Sequence, residues 1–223
     1  FQAEDGIRDS VASRGLGDVY KRQILDLGYV RKSEIVSCTK SICESGVSML
    51  QLRAKSKNPN EILTIAKQIQ PICKDLGTPL IINDYPEIAG EIEADGVHIG
   101  QEDGKINDAR KMSGNCKIVG RSTHSLDQVR TANNEGADYI GFGPLYATNT
   151  KPGRPAIGLN DIIQAHKEFN GPIYCIGGIN ESTIIEVIKA GAKNVVIVSD
   201  LLQSSDIVYY VSKIKSLSKK TLK

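Results

Sequence analysis

The sequence predicts a (β/α)8 barrel, the TIM-barrel fold class, on three observations. From Ser33 onward, short β-branched runs alternate with amphipathic stretches, which implies βαβ units and a parallel sheet. A Gly-Ala-Asp/Lys phrase recurs just before strands, as GADY at 136 and GAKN at 191, with EADG at 93 as a variant. It marks the helix-to-strand turn, where Gly supplies the left-handed conformation that ends a helix. Finally, no Gly-rich dinucleotide turn follows an early strand, as a doubly wound sheet would normally have.

Seven strands can be read in order: VSMLQL (47–52), PLIIN (79–83), DGVHI (95–99), KIVGR (117–121), DYIGF (138–142), PIYCI (172–176) and NVVIV (194–198). Helical spacing separates them. Ile62, Ile65, Ala66 and Ile69 form one apolar stripe, and Ile184, Ile185, Val187 and Ile188 form another. Pro59 near the start of the first stripe and Gly77 just past its end punctuate that helix. The segments CIGGIN (175–180) and IVSDLL (197–202) end strands seven and eight with small residues and a hydroxyl, where barrels often bind phosphate.

The first strand is the gap. Residues 1–23, FQAEDGIRDSVASRGLGDVYKRQ, are charged, Gly/Ser-punctuated and without clean period. The run resembles translated sequencing-adapter read-through. Residues 1–23 are therefore expected to be a non-native segment and 24–223 a single barrel domain, with a genuine extension as the other reading. On this view the first strand is missing or replaced, and ILDLGYV (24–30) is a remnant of the first loop. Only LGDVY (16–20) offers a substitute strand, and strands two and eight would be left as unpaired edges.

Composition narrows the function classes. The 223 residues are 40% hydrophobic and carry a formal charge of +2. Near-balance argues against a nucleic-acid groove or a membrane-surface helix, both of which need a concentrated basic stripe. No apolar run is long enough to cross a bilayer. Five cysteines (38, 43, 73, 116, 175), with no CxxC, read as free thiols of a cytoplasmic protein. Oligomeric state stays open, a homo-oligomer included.

Chemistry concentrates at strand ends. The loop after strand six carries Thr148, Asn149, Thr150 and Lys151, a set of donors suited to phosphate or diphosphate. Strand two ends Gln51-Leu52-Arg53-Ala54-Lys55. Arg53 and Lys55 share one side of an extended chain, so two cations face the mouth and would repel unless an anion lay between them. Strand three ends in Asn83-Asp84, and Asp103 follows strand four. Two acids at neighbouring strand ends can share Mg2+, which favours one or two carboxylates plus phosphate oxygens and water. Each could instead cap the helix that follows. Strand five ends in Arg121-Ser122-Thr123-His124-Ser125, where a hydroxyl pair beside His124 suits hydrogen bonding or proton transfer, and Ser125 suits a helix cap. His98 reads as a satisfied barrel residue and His166 as a solvated helix residue.

QLRAK, INDY, ADGVHIGQED, STHS, GADYIGFGPLYATNTK, CIGGIN and VIVS stand in order between about Val47 and Leu202. Together they resemble the thiamine phosphate synthase family. The resemblance implies a Mg2+-dependent barrel enzyme that couples a pyrimidine methyl diphosphate to a thiazole phosphate and releases pyrophosphate through a pyrimidine-stabilised cation. It implies that Gln51, Leu52, Arg53, Ala54, Lys55 and Asn83 hold the pyrimidine diphosphate. Asp84 and Asp103 would bind Mg2+, Ser122 would contact the pyrimidine, and Lys151 the diphosphate. Thr148, Asn149, Thr150, Gly178, Val198 and Ser199 would hold the thiazole phosphate. Members of the family end their first strand with an acidic or Thr-Asp pair, which is missing or replaced on this reading. Two rivals remain: a thiazole tautomerase on the same barrel that uses a His at the position of His124, and a phosphate-binding barrel without catalysis.

Overall fold

The computed structural model describes residues 22–114, 118–148, 150 and 153–221. Eight parallel strands run in the order of the chain: β1 (Arg22–Asp26), β2 (Met49–Arg53), β3 (Leu80–Asn83), β4 (Gly96–Ile99), β5 (Ile118–Thr123), β6 (Tyr139–Phe142), β7 (Ile173–Ile176) and β8 (Val195–Val196). Helices follow the strands: α1 (Ile35–Glu44), α2 (Pro59–Asp75), α3 (Pro86–Glu91), α4 (Ile106–Met112), α5 (Leu126–Asn134), α6 (Ile162–Glu168), α7 (Ile184–Lys189), α8 (Ser199–Leu202) and α9 (Ile207–Thr221). β8 lies beside β1, which makes the sheet a nearly closed barrel.

The expected first strand requires correction. It is neither missing nor drawn from 16–20, which lies outside the described residues. It is Arg22–Asp26, paired with β2 in parallel from Arg22↔Met49 to Asp26↔Arg53. Its first two residues belong to the adapter-like run and its last three to the stretch expected as loop. Ile24 and Leu25 are buried, one toward the barrel axis and one toward the helices, and this burial makes the segment a strand. Strand two is therefore not an unpaired edge. The expectation of a loose segment at 1–15 also falls outside the described residues.

The other seven strands lie within the predicted runs, give or take a terminal residue or two. In α2, the Asn58 side chain accepts from the Glu61 N–H, Glu61 returns the bond, and Pro59 opens the helix. That reciprocal cap explains why the helix starts there. Its stripe, Ile62, Ile65, Ala66, Ile69 and Cys73, is buried against the sheet. The repeated phrase has a second role beyond its turn. Asp95 accepts from the Leu80 N–H at 2.8 Å, Asp138 from the Val119 N–H at 2.7 Å, and Asn194 donates to the Ile173 carbonyl at 3.2 Å. Each thereby fastens the preceding strand at the end opposite the mouth. In EADG, Glu93 itself adopts the left-handed conformation (φ 52°) that Gly136 and Gly191 adopt in the other copies.

Inside the barrel, aromatic bulk is matched by missing side chains. A Cβ on Gly120 would lie 2.1 Å from Cζ of the buried Tyr139. Gly120 is thus the space into which the ring packs.

Cys43, Cys73 and Cys175 are buried free thiols and Cys38 is half-buried; Cys116 lies outside the described residues. Burial pushes the Cys38 thiol up to about 11 and Cys175 to about 12, so both stay protonated. His166 is a second correction. It is half-buried rather than solvated, its Nε2 is buried without a hydrogen-bond partner among the described residues, and burial with nearby Lys193 pushes its pKa down to about 4. The unfolded chain, with His near 6.5, then binds more protons than the folded one between those values. Stability from the neutral ring is present above about 6.5 and declines as pH falls toward about 4. Melting curves at pH 7 and pH 5 should show a smaller pH-dependent drop for His166→Leu than for the unaltered chain. An equal drop in both removes His166 as the cause.

Candidate active site

Because all eight strands are parallel, their C-terminal residues arrive at one rim. A cavity of about 770 Å3, open mouth included, lies there. Gln51, Arg53, Asn83, Ser122, Thr148, Thr150, Gly178, Val198 and Ser199 all line it, having been singled out in sequence. These positions span about 150 residues of chain, and only closure of the sheet brings them together.

Arg53 and Lys55 are each paired within the protein. Arg53 Nη1 donates to Asp26 Oδ2 at 2.5 Å, with both side chains largely buried. Lys55 Nζ lies 2.5 Å from Asp84 Oδ2. Their mutual repulsion is thus relieved by carboxylates, and no ligand anion is required to hold them together. Asp26 was not found in sequence because it was assigned to a loop. It is the acidic end of β1, 2% exposed, and its Oδ1 also accepts from the Gly28 N–H at 3.0 Å. The first strand's acidic ending is therefore present.

Asp84 and Asp103 lie near each other. Burial pushes the Asp84 carboxyl above the usual carboxylate range; Lys55 opposes this, and the Asp103 charge adds to it. Neither acid caps a helix. The N-cap residues of α3 and α4 are Tyr85 and Lys105, and neither makes a side-chain cap bond. Asp103 instead accepts from the Gly100 N–H at 2.6 Å, and Asp84 holds a left-handed backbone (φ 65°). Such a conformation costs a non-glycine residue on the order of 1 kcal/mol. Among the described residues no group of three or more His, Cys, Asp or Glu side chains forms a metal cluster. A pair of hard oxygen donors fits an ion that takes its remaining ligands from phosphate and water.

Deeper in the cavity, His98 bridges two hydroxyls: Nδ1 lies 3.0 Å from Tyr139 Oη and Nε2 3.0 Å from Ser122 Oγ. It is a satisfied barrel residue as expected, yet it also lines the cavity and orients Ser122. Gln101 Nε2 holds the Ser122 carbonyl at 2.5 Å. His124 Nδ1 bonds to the Gly143 carbonyl, and its N–H donates to Gln128 Oε1 at 2.8 Å. Ser125 caps α5 by accepting from the Gln128 N–H.

The loops after β6 and β7 support each other. Leu145 N–H donates to the Ile176 carbonyl at 2.9 Å and Tyr146 N–H to the Gly177 carbonyl at 3.0 Å. A Cβ on Gly177 would lie 2.4 Å from Pro144 Cα, so the backbones meet where no side chain fits. Gly177 and Gly178 both line the cavity and both lie against the loop after β6. Tyr29 Oη lies 2.9 Å from Thr150 Oγ1, and Arg53 Nη2 donates to the Thr150 carbonyl at 3.4 Å. The loop after β1 thus fastens the hydroxyl-rich loop over the site.

Not every predicted residue meets the cavity. Leu52 and Ala54 are buried in the core and do not line it. Alternation along β2 turns them away from the axis when Gln51 and Arg53 turn toward it. Lys55, Asp84 and Asp103 do not line it either; Lys55 is half-exposed and paired with Asp84. Asn149 and Lys151 lie outside the described residues. Arg22, Ile24 and Asp26 line the cavity without having been singled out. Their period-two spacing is the signal that could have found them.

The family model described as thiamine monophosphate synthase matches residues 24–201. The thiamine-phosphate synthase of Persephonella marina is 34% identical over 194 residues, covering 87% of this chain and 93% of that protein. The one from Dictyoglomus thermophilum is 42% identical over 173 residues, covering 77% and 78%. Other curated relatives are longer: this chain spans about half the length of the Prochlorococcus marinus protein, at 36% identity over 173 residues. Among solved structures, the thiamine phosphate pyrophosphorylase of Pyrococcus furiosus superposes with a TM-score of 0.80 at 25% identity, covering 93% of this chain and 98% of that one. A geranylgeranylglyceryl phosphate synthase from Thermoplasma acidophilum, with a TM-score of 0.70 at 14% identity, shares the fold. The family model and these relatives show that the chain belongs to the thiamine monophosphate synthase family.

Proposed function

We propose that this chain couples 4-amino-2-methyl-5-pyrimidinylmethyl diphosphate to a thiazole phosphate, giving thiamine phosphate and pyrophosphate. The observation that carries this reading is one cavity lined by Asn83, Arg53, Ser122, Thr150, Gly178 and Ser199, with Asp84 next along the chain from Asn83 and close to Asp103. Gln51 Nε2 donates to Asn83 Oδ1 at 2.6 Å, which fixes both amides for the pyrimidine diphosphate. Ser122, held by His98 and Gln101, faces the pyrimidine. Thr148, Thr150, Gly177, Gly178 and Ser199 take the thiazole phosphate.

Departure of a diphosphate requires its charge to be neutralised. Asp84 and Asp103 would hold Mg2+, which when bound would draw charge from the diphosphate oxygens. Lys55 would then exchange Asp84 for the diphosphate, and Lys151 would reach the same group. The bond between the pyrimidine methylene and the diphosphate oxygen breaks, its electrons leave with the oxygen, and the thiazole nitrogen lone pair forms the new bond. No protein nucleophile takes part, so positioning and electrostatics carry the rate. A cytoplasmic location fits the free thiols at Cys38, Cys43, Cys73 and Cys175.

A second reading, thiazole isomerisation, draws on His124, which lines the cavity with its Nδ1 anchored on the Gly143 carbonyl. Purified protein given Mg2+ and both substrates separates the readings. Coupling releases pyrophosphate, isomerisation only shifts the thiazole double bond, and a binding barrel does neither.

Asp84→Ala and Asp103→Ala should each lower coupling by about a hundredfold or more while leaving the melting temperature within a few degrees. Neither side chain caps a helix, so stability has little to lose. Near-normal coupling at limiting Mg2+ in either variant defeats the metal assignment. His124→Gln should retain substantial coupling, because the ring supports the Gly143 turn and exchanges no proton. Complete loss of coupling in a folded His124→Gln protein, with isomerisation present in the parent, moves the function to the isomerase.

A further inference from the structure

Arg121 is 6% exposed and does not line the cavity. On β5 its neighbour Ser122 turns toward the axis, so alternation turns Arg121 the other way. The ladder sets Arg121 beside Ile99, the last residue of β4. Its guanidinium meets the turn that follows β4. Nη1 donates to the Gly104 carbonyl at 2.5 Å and Nη2 to the Gln101 carbonyl at 3.4 Å. Asp103 lies between those two carbonyls in the chain, and Gly104 leaves the turn with a φ of 91°.

Three further bonds hold the same turn. Gln101 Nε2 donates to the Ser122 carbonyl at 2.5 Å, the Asp103 N–H to the Gly100 carbonyl at 3.4 Å, and the Gly100 N–H to Asp103 Oδ2 at 2.6 Å. A Cβ on Gly100 would lie 2.9 Å from that oxygen, so the carboxylate can fold back onto its own turn only over a glycine. Asp84 is fixed separately: its N–H donates to the His98 carbonyl of β4 at 2.9 Å. The spacing of the two acids is therefore left to the turn that carries Asp103.

Burying a guanidinium is costly unless its charge is met. Among the described residues Arg121 gives its hydrogen bonds to main-chain carbonyls and to no carboxylate. Its planar fork holds two carbonyls three residues apart, which the point charge of a lysine does not do in one fixed geometry. The backbone is thereby set on both sides of Asp103.

Resting on the reading of Asp84 and Asp103 as the Mg2+ site, we propose that Arg121 is a positioning residue for that site. It fixes the turn carrying Asp103 and so sets the affinity of the acid pair for a divalent cation. It acts through Asp103 and from the far side of β5, away from the substrates.

The test titrates Mn2+ into the full chain at a fixed concentration of inorganic pyrophosphate and follows water-proton relaxation, which rises when the protein holds the ion. Arg121→Met should raise the half-saturating Mn2+ concentration about tenfold, the usual loss when a group supporting a metal ligand is removed. Arg121→Lys keeps the charge without the fork and should fall between Arg121→Met and the parent chain. In coupling assays the half-saturating Mg2+ concentration should rise in the same order, turnover should recover at high Mg2+, and the Michaelis constant for thiazole phosphate should not move. Mn2+ binding that survives in Asp103→Ala removes the metal reading itself, and this role with it. Binding lost in Asp103→Ala but unchanged in a folded Arg121→Met protein overturns the role of Arg121 alone. A parallel rise in the Michaelis constant for thiazole phosphate marks general loosening of the barrel and also overturns it. If Arg121→Met fails to fold, Arg121→Lys decides, and unchanged Mn2+ affinity there overturns the proposal.

Discussion

The site depends on the parallel ladder between β1 and β2. Five residues, Arg22–Asp26, complete the sheet next to β2 and set the orientation of everything on that side of the barrel. In the observed register Asp26 stands beside Arg53, and their side chains pair at the mouth. Shifting that register by one residue would turn Asp26 and Arg22 toward the helices and Gln23 and Leu25 toward the axis. Arg53 would then lose its carboxylate, and the loop carrying Tyr29 would no longer reach Thr150.

The two described cation pairs at the mouth differ in how firmly they are held. Arg53 is nearly buried and held by Asp26, so its geometry is set before any ligand arrives. Lys55 is half-exposed and its pair with Asp84 is worth little, on the order of 1 kcal/mol or less. The rigid pair serves orientation; the weak pair leaves Asp84 open to a stronger competitor. The left-handed backbone at Asp84 is consistent with a residue positioned by its surroundings rather than by local preference.

The floor of the barrel is energetically the opposite case. Stacking of a desolvated guanidinium on an aromatic face contributes about 2 kcal/mol. Removing the same cation from water costs several kcal/mol. The faces of Tyr139 and Tyr174 and one bond to Gln51 therefore leave a deficit at Arg22, where the neighbouring interior position of the same strand, Ile24, has none.

Much of this architecture was legible in the amino-acid order. Seven strands and the stripes of their helices follow from hydrophobic period and from turn glycines, which are local properties. Gln51, Arg53, Asn83, Ser122, Thr148, Thr150 and Gly178 were legible as well, because polar residues at the ends of buried strands have few other reasons to be there. The first strand was not. RQILD carries a charge at each end and only two apolar residues, so no window of sequence distinguishes it from a loop; pairing with β2 and burial on both faces decide it. The partners of the cations were equally hidden. That Asp26 rather than a ligand neutralises Arg53, that Asp84 meets Lys55, and that Arg22 meets Tyr139 and Tyr174 are facts of three-dimensional distance. Sequence determined which polar residues end seven of the buried strands, since period and composition act along the chain. Only the closed sheet decided which of them touch, since contact between residues far apart in the chain is set by register and barrel closure.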